Sequence, residues 1–200
     1  HYNNNIKIIP TTIDTEIHKP LGLVKDKITI GWSGSLTTIK HFEYALDFLK
    51  IIKKKYPQVE ICVVSDSVYT NDELEIKGVA WSSATEVQSI NTFSIGIMPL
   101  PDDEWAKGKC GLKGLSYMSC EIPTIMSPVG VNTQIIEHGK NGFLASTTDE
   151  WVECISKLIE SAELREKMGK AARQTVIAKY SVASQQENYL KAFREVLSIK

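Results

Sequence analysis

Ile28-Thr29-Ile30-Gly31-Trp32-Ser33-Gly34-Ser35-Leu36-Thr37-Thr38-Ile39-Lys40 is the stretch on which the fold turns. A β-branched run ends in a glycine-containing turn, and hydroxyl residues then lead into a segment of helical period. That segment, Ile39 to Lys55, carries Phe42, Ala45, Leu46, Leu49 and Ile52 on one stripe and predicts a single crossover helix. Its Lys53-Lys54-Lys55 tail suits the negative end of the helix macrodipole, and Pro57 follows as a stop. Working outward, strands are expected near Ile6 to Ile9, Ile28 to Trp32, Val59 to Val64, Phe93 to Met98, Pro123 to Met126 and Gly142 to Ala145. Strands alternating with helical segments imply βαβ units, and hence an α/β fold: a Rossmann-like, doubly wound parallel sheet with helices on both faces. After Ala145 helix follows helix. Thr147 to Glu150 supply a cap and an acidic first turn, a second run covers Ala162 to Lys179, and a third covers Ser181 to Ile199. The expectation is one domain over 1–200, with a core at 6–180 and a helix at 181–200 that reaches across to another part of a parent protein. Asn3-Asn4-Asn5 reads as a loose start.

The composition narrows the function classes. The 200 residues are 42% hydrophobic, enough for a full core, and Lys+Arg 23 against Asp+Glu 24 leaves a net charge of -1. Without a basic excess there is no electrostatic drive toward nucleic acid, so no nucleic-acid partner is expected. Cys62, Cys110, Cys120 and Cys154 are widely spaced, with no His nearby to complete a zinc set; they read as reduced thiols of a cytoplasmic protein. No apolar run approaches the ~20 residues of a membrane span, and no signal peptide is recognisable. The chain opens His1-Tyr2, without methionine, as a piece of something longer would.

In an open parallel sheet ligands bind beyond the carboxyl ends of the strands, which directs attention to two loops. The first is Gly31 to Ser35, followed by Thr37, Thr38 and Lys40; it offers backbone N–H groups and a cation to phosphate, or else is a plain turn. It has neither the Gly-x-Gly-x-x-Gly spacing nor a Gly-Lys-Ser/Thr P-loop. The second runs from Pro99 through Asp102-Asp103-Glu104-Trp105 to Lys107-Gly108-Lys109-Cys110-Gly111-Leu112-Lys113. Lys109 and Lys113 sit where a helix begins, at a cost of roughly 0.3–1 kcal/mol each that a bound anion would remove. The plainer alternative is neutralisation by Asp102, Asp103 and Glu104. As a metal site those acids are disfavoured by the neighbouring lysines, so no metal is expected. His138, before Gly139, reads as a helix-end cap, and Cys110 as a packing residue. Of the four tryptophans, Trp81 and Trp105 fall in loops after strands, where they would flank a ligand.

Taken in order, these residues resemble the C-terminal, donor-binding half of a GT-B glycosyltransferase of the family 4 type. The resemblance covers nearly the whole chain: Ile9-Pro10-Thr11-Thr12-Ile13-Asp14, then Gly34-Ser35 with Lys40, then Gly111-Leu112, Met118, Pro123, Ser127-Pro128-Val129-Gly130 and Asn141-Gly142-Phe143-Leu144. Departures from the family pattern are Ser35 in place of an arginine, Gly108 and Ser116 in place of the two glutamates seven residues apart, and Gln134 in place of another glutamate. Gly108-Lys109-Cys110-Gly111-Leu112-Lys113 resembles a divergent branch that reads Gly-Lys-Cys-Gly-x-Lys there.

The resemblance implies a single nucleotide-sugar-binding unit, one half of a GT-B fold. It implies retaining, metal-independent transfer of a sugar from a nucleotide-sugar to a glycan or lipid-linked acceptor held by an absent N-terminal half, with no cofactor, and with this piece alone inactive. The diphosphate contacts it implies are Gly34, Ser35, Lys40, Lys109, Gly111, Leu112 and Lys113, the nucleoside contacts Val79, Trp81 and Ser116, and the candidate catalytic carboxylates Asp103 and Glu104. The implied setting is cytoplasmic, peripheral at the inner face of the cell membrane, in polysaccharide, lipopolysaccharide or capsule synthesis. Three alternatives stay open: a noncatalytic nucleotide-sugar-binding module, a GT-B-type epimerase, and a receiver-like domain built on Asp66.

Overall fold

The computed structural model describes residues 6–198. Six parallel strands form the sheet: β1 (Thr29–Ser33), β2 (Glu60–Ser65), β5 (Val79–Ala80), β6 (Ile95–Met98), β7 (Thr124–Met126) and β8 (Phe143–Leu144). A small antiparallel pair, β3 (Thr70–Asn71) and β4 (Ile76–Lys77), stands apart from it. The spatial order is β5-β2-β1-β6-β7-β8, the doubly wound arrangement in which the chain reverses its direction of winding between β1 and β6. The expected fold class is therefore present, and the crevice at that reversal opens between the two loops singled out from sequence.

Alternation along the central strands divides the core. Ile30, Trp32, Ile95 and Ile97 face the helices α1 (Ile39–Glu43), α2 (Leu46–Lys55) and α7 (Thr148–Glu160), where Phe48 stacks on Trp151 at 4.7 Å. On the opposite face Gly31 and Gly96 are register partners, and the missing side chains admit two rings. A Cβ on Gly31 would lie 2.0 Å from the Phe93 ring, and one on Gly96 would lie 2.5 Å from Tyr117. Phe93 and Tyr117 meet edge to face at 5.8 Å, drawing α5 (Leu112–Ser119) against the sheet with α3 (Glu86–Asn91) and α8 (Ala162–Lys179) beside it. The fully buried Tyr117 hydroxyl accepts the Ser33 N–H at 2.7 Å, tying α5 to the last residue of β1.

Several expectations need correction. Residues 6–9 form no strand: Ile6 and Ile8 are solvent-facing, and the first sheet-like contact is the isolated bridge Ile13 to Ser181. The Ile39 to Lys55 helix is broken at Tyr44 and Ala45, where the Ala45 N–H turns back to the Phe42 carbonyl at 2.7 Å. A short helix α4 (Glu104–Lys107) interrupts the second loop. His138 caps no helix: α6 (Asn132–Ile135) has already ended, and His138 Nδ1 accepts the Leu144 N–H at 3.1 Å. Cys110 is exposed, not packed, whereas burial pushes the thiols of Cys62 and Cys154 up to about 11 and that of Cys120 to about 12. Asn3 to Asn5 lie outside the described residues.

The three terminal helices are present, ending with α9 (Val182–Ser198). Thr147 and Glu150 form a full capping box on α7. The Arg173 guanidinium of α8 donates to the carbonyls of Thr15, His18 and Ser119, fastening the segment that precedes the sheet. Backbone bonds from Ile13 N–H to Tyr180 and from Val182 N–H to Ile13 join the two chain crossings there.

Candidate functional site: the crevice between β1 and β6

The carboxyl end of β1 gives Ser33, Gly34 and Ser35. The Gly34 N–H is held by the Val64 carbonyl at 3.0 Å, and the Leu36 N–H is taken by the Asp66 carboxylate. The first N–H of the 3-10 turn Leu36–Thr38 is thus committed to a protein carboxylate, so the turn offers less to an incoming anion than its sequence suggests. The space over Gly34 is used for packing instead, since a Cβ there would come within 2.4 Å of the Trp32 ring and 2.6 Å of Lys113 Cε.

Across the crevice, α5 begins at Gly111, whose φ of 76° is the left-handed turn that glycine adopts without strain. Among the described residues no side chain caps this helix, which leaves its first-turn N–H groups without a side-chain acceptor at the positive end of the macrodipole. Beside Gly111 lies Asn132, fully buried, with its Oδ1 unpartnered. Lys113 Nζ rests over the Trp32 ring at 5.6 Å and Lys109 Nζ over the exposed Trp105 ring at 4.9 Å. Among the described residues neither lysine has a carboxylate partner. Asp102 and Glu104 pair with Lys107 at 3.5 and 2.9 Å, and Asp103 caps α4 by accepting the Ala106 N–H at 2.7 Å, so the neutralising alternative does not hold. Burial, then the charge of Lys109, pulls the Lys113 ammonium below the usual lysine range.

These elements enclose a cavity of about 320 Å³ lined by Ser33, Gly34, Ser35, Asp66, Trp81, Glu86, Ile90, Leu112, Lys113, Ser116 and Tyr117. Of the residues expected from sequence it brings together Gly34, Ser35, Leu112, Lys113, Trp81 and Ser116. Val79 sits instead on the edge strand β5, facing a different hollow, and Lys40 stands exposed on α1. A second groove of about 500 Å³, on the far side of the same lysine turn, is lined by Ile8 to Thr11, Lys107 to Cys110, Val131, Gln134, Ile135, Lys179 and Tyr180. Asp103 and Glu104 line neither space, and both are already bonded within the protein.

Four residues at or under the site escaped the sequence reading: Asp66 as the partner of Leu36, Glu86, Tyr117 and His41. His41 is 3% exposed with Nδ1 unpartnered. Its burial, then Lys109, Lys113 and Lys40, hold its pKa below the ordinary 6.5, against a smaller opposing pull from Asp103. With the folded pKa lowered, the unfolded chain binds the proton first, so stability is intact above 6.5 and falls as the pH drops below it. His41→Gln is expected to flatten that decline. Melting profiles of parent and variant that run parallel from about pH 7.5 to 5 would contradict this account.

A doubly wound parallel sheet with helices on both faces and a crevice where the winding reverses defines a Rossmann-like unit. Within that class the chain belongs to the glycosyl transferases group 1 family, whose sequence profile matches residues 27–161. Spore coat protein SA of Bacillus subtilis (strain 168) is 24% identical over 199 residues, covering 90% of this chain and 52% of that protein, so the chain spans about half the length of this curated relative. The C-terminal domain of a group 1 glycosyl transferase, LpcC, from Francisella tularensis superposes with a TM-score of 0.69 at 18% identity, over 85% of this chain and 99% of that one. TarM superposes at 0.78 with 19% identity, over 96% of this chain and 40% of that one. HepE of Anabaena, solved with UDP-glucose, superposes at 0.75 with 16% identity, over 94% and 57%. The fold is that of one half of the GT-B architecture. No helix among the described residues is long and apolar enough to cross a membrane.

Proposed function

We propose that this chain is the donor-binding half of a retaining, metal-independent glycosyltransferase, which passes a sugar from a nucleotide-sugar to a glycan or lipid-linked acceptor. The observation that carries the reading is the pair Lys109 and Lys113 at the start of α5, without a carboxylate partner among the described residues, Lys113 lining the crevice cavity and Lys109 the groove on the far side of the same turn. The leaving group in such a transfer is a diphosphate whose negative charge grows as the glycosidic bond breaks. Two fixed ammonium groups and the N–H groups of α5 would stabilise that charge without a metal ion. Trp81 and Ile90 offer the apolar walls that a nucleoside needs. Gly34 and Ser35 line the cavity beside Lys113, while Lys40 acts on the phosphates from a distance, through the field that also reaches His41.

The acceptor on this reading belongs to a second half. Residues 6–12 and α9 present it with Ile8, Phe193, Val196 and Leu197, all solvent-facing here. On this reading the transfer takes place on the cytoplasmic side, at the inner face of the membrane when the acceptor is lipid-linked. Asp103 and Glu104, both bonded at the one short helix α4, favour the second reading, a module that binds nucleotide-sugars without turnover. Sugar transfer by this chain joined to an acceptor-binding half separates the two.

Titration of the 200-residue chain with UDP, GDP and dTDP, followed by melting temperature, tests the shared core of both readings. At a hundred times its dissociation constant the right nucleotide is expected to stabilise the fold by about 2.7 kcal/mol, roughly 5–10 °C. A melting temperature unmoved by all three would overturn the reading.

A further inference from the structure

The crevice cavity is lined by groups of both charges. Lys113 and the start of α5 bring positive charge to the lining, while Asp66 and Glu86 bring carboxylates to it. A carboxylate in a cavity built for a diphosphate repels its ligand unless it accepts hydrogen bonds from it. Asp66 is accounted for by its bond from the Leu36 N–H. The Ser116 hydroxyl is likewise committed, donating to the Leu112 carbonyl at 3.0 Å. Glu86, half-buried on the first turn of α3, has neither a hydrogen bond nor an ion pair among the described residues. Its place at the helix N-terminus makes its negative charge acceptable there but gives its two oxygens nothing to bind.

We propose that Glu86 reads the ribose of the donor nucleotide, its carboxylate accepting hydrogen bonds from the vicinal 2′ and 3′ hydroxyls. The inference rests on the nucleotide-sugar reading above and adds a specificity determinant to it. Within one cavity, Lys113 takes the diphosphate, Trp81 offers a face to the base, and the sugar joining them falls between. The ribose is the part of a nucleoside diphosphate that carries paired O–H donors whatever the base, and a carboxylate matches two such donors with its two oxygens. Glu86 reaches the cavity from α3, whereas the α5 position facing the same space holds only the short, already bonded Ser116.

The test compares UDP with 2′-deoxy-UDP, and GDP with 2′-deoxy-GDP, by calorimetric titration of the parent chain and of Glu86→Ala and Glu86→Gln. The parent is expected to prefer the ribonucleotide about tenfold, the worth of a charge-assisted hydrogen bond. Glu86→Ala is expected to remove that preference by weakening the ribonucleotide alone, and Glu86→Gln, which keeps one acceptor, to fall between. A preference undiminished in Glu86→Ala, or no preference in the parent, overturns the role of Glu86 while leaving nucleotide binding standing. Failure of the parent to bind any of the four would remove the nucleotide reading itself, and this inference with it.

Discussion

Replacing Lys109 and Lys113 together by alanine is expected to weaken binding of the nucleoside diphosphate by roughly a hundredfold or more, while the free chain melts no lower than the parent. The two effects have opposite signs for one reason. In the free chain Lys109 just precedes α5 and Lys113 lies in its first turn, and neither has a carboxylate partner among the described residues. Each therefore costs about 0.3–1 kcal/mol near a helix N-terminus, and its removal relieves that cost. With a diphosphate in place each becomes a charge-assisted hydrogen bond, worth about 1.5–3 kcal/mol to the complex, and two of them account for the hundredfold. Lys113→Met keeps the stem packed over Trp32 and isolates the charge from the packing. Calorimetric affinities equal in parent and double variant would show that the phosphates lie elsewhere.

Trp32→Ala is expected to lower stability by about 3–5 kcal/mol, which for a chain of this length is on the order of 10 °C in melting temperature. Trp32 is 1% exposed, meets Phe42 at 5.7 Å and closes against the space over Gly34. It is also the surface on which Lys113 rests, so the ligand-induced rise in melting temperature should shrink as well. Chemical denaturation of parent and variant, with and without UDP, measures both. A loss below about 1 kcal/mol would mean that the cavity collapses and the ring is not a keystone of the site.

The parts of this site that were legible in the sequence are local. A β-branched run broken by glycine and followed by an amphipathic segment identifies a strand-to-helix loop, and β1 and β6 each end in one. Lysines near a predicted helix start are visible in the same way, because the penalty they suffer is set by sequence neighbours. What joins Glu86, Asp66 and Tyr117 to those loops is the strand order, which brings residues dozens of positions apart to one edge of the sheet, and no periodicity encodes that. The two-residue strands β3, β4 and β5 are too short to carry an alternation, while β8, of the same length, is legible only through the apolar run Phe143 to Ala145. Residues 6–9 carry an apolar pattern that reads as a strand, yet no sheet edge receives them. The break at Tyr44 and Ala45 is invisible because the apolar stripe continues across it on the same face.

The bridge at Ile13 and Ser181 has a mechanical consequence. Thr15, His18 and Ser119 are tied together through Arg173, whereas residues 6–12 and α9 lie on the outer side of the bridge and hold each other, Lys7 to Glu195 at 2.6 Å and the Tyr189 hydroxyl to the Pro10 carbonyl at 3.3 Å. They make one lever with its pivot at two adjacent backbone crossings. Because Ile8 to Thr11 also form one bank of the groove next to Lys109, any displacement of α9 that carries residues 6–12 with it changes the width of that groove.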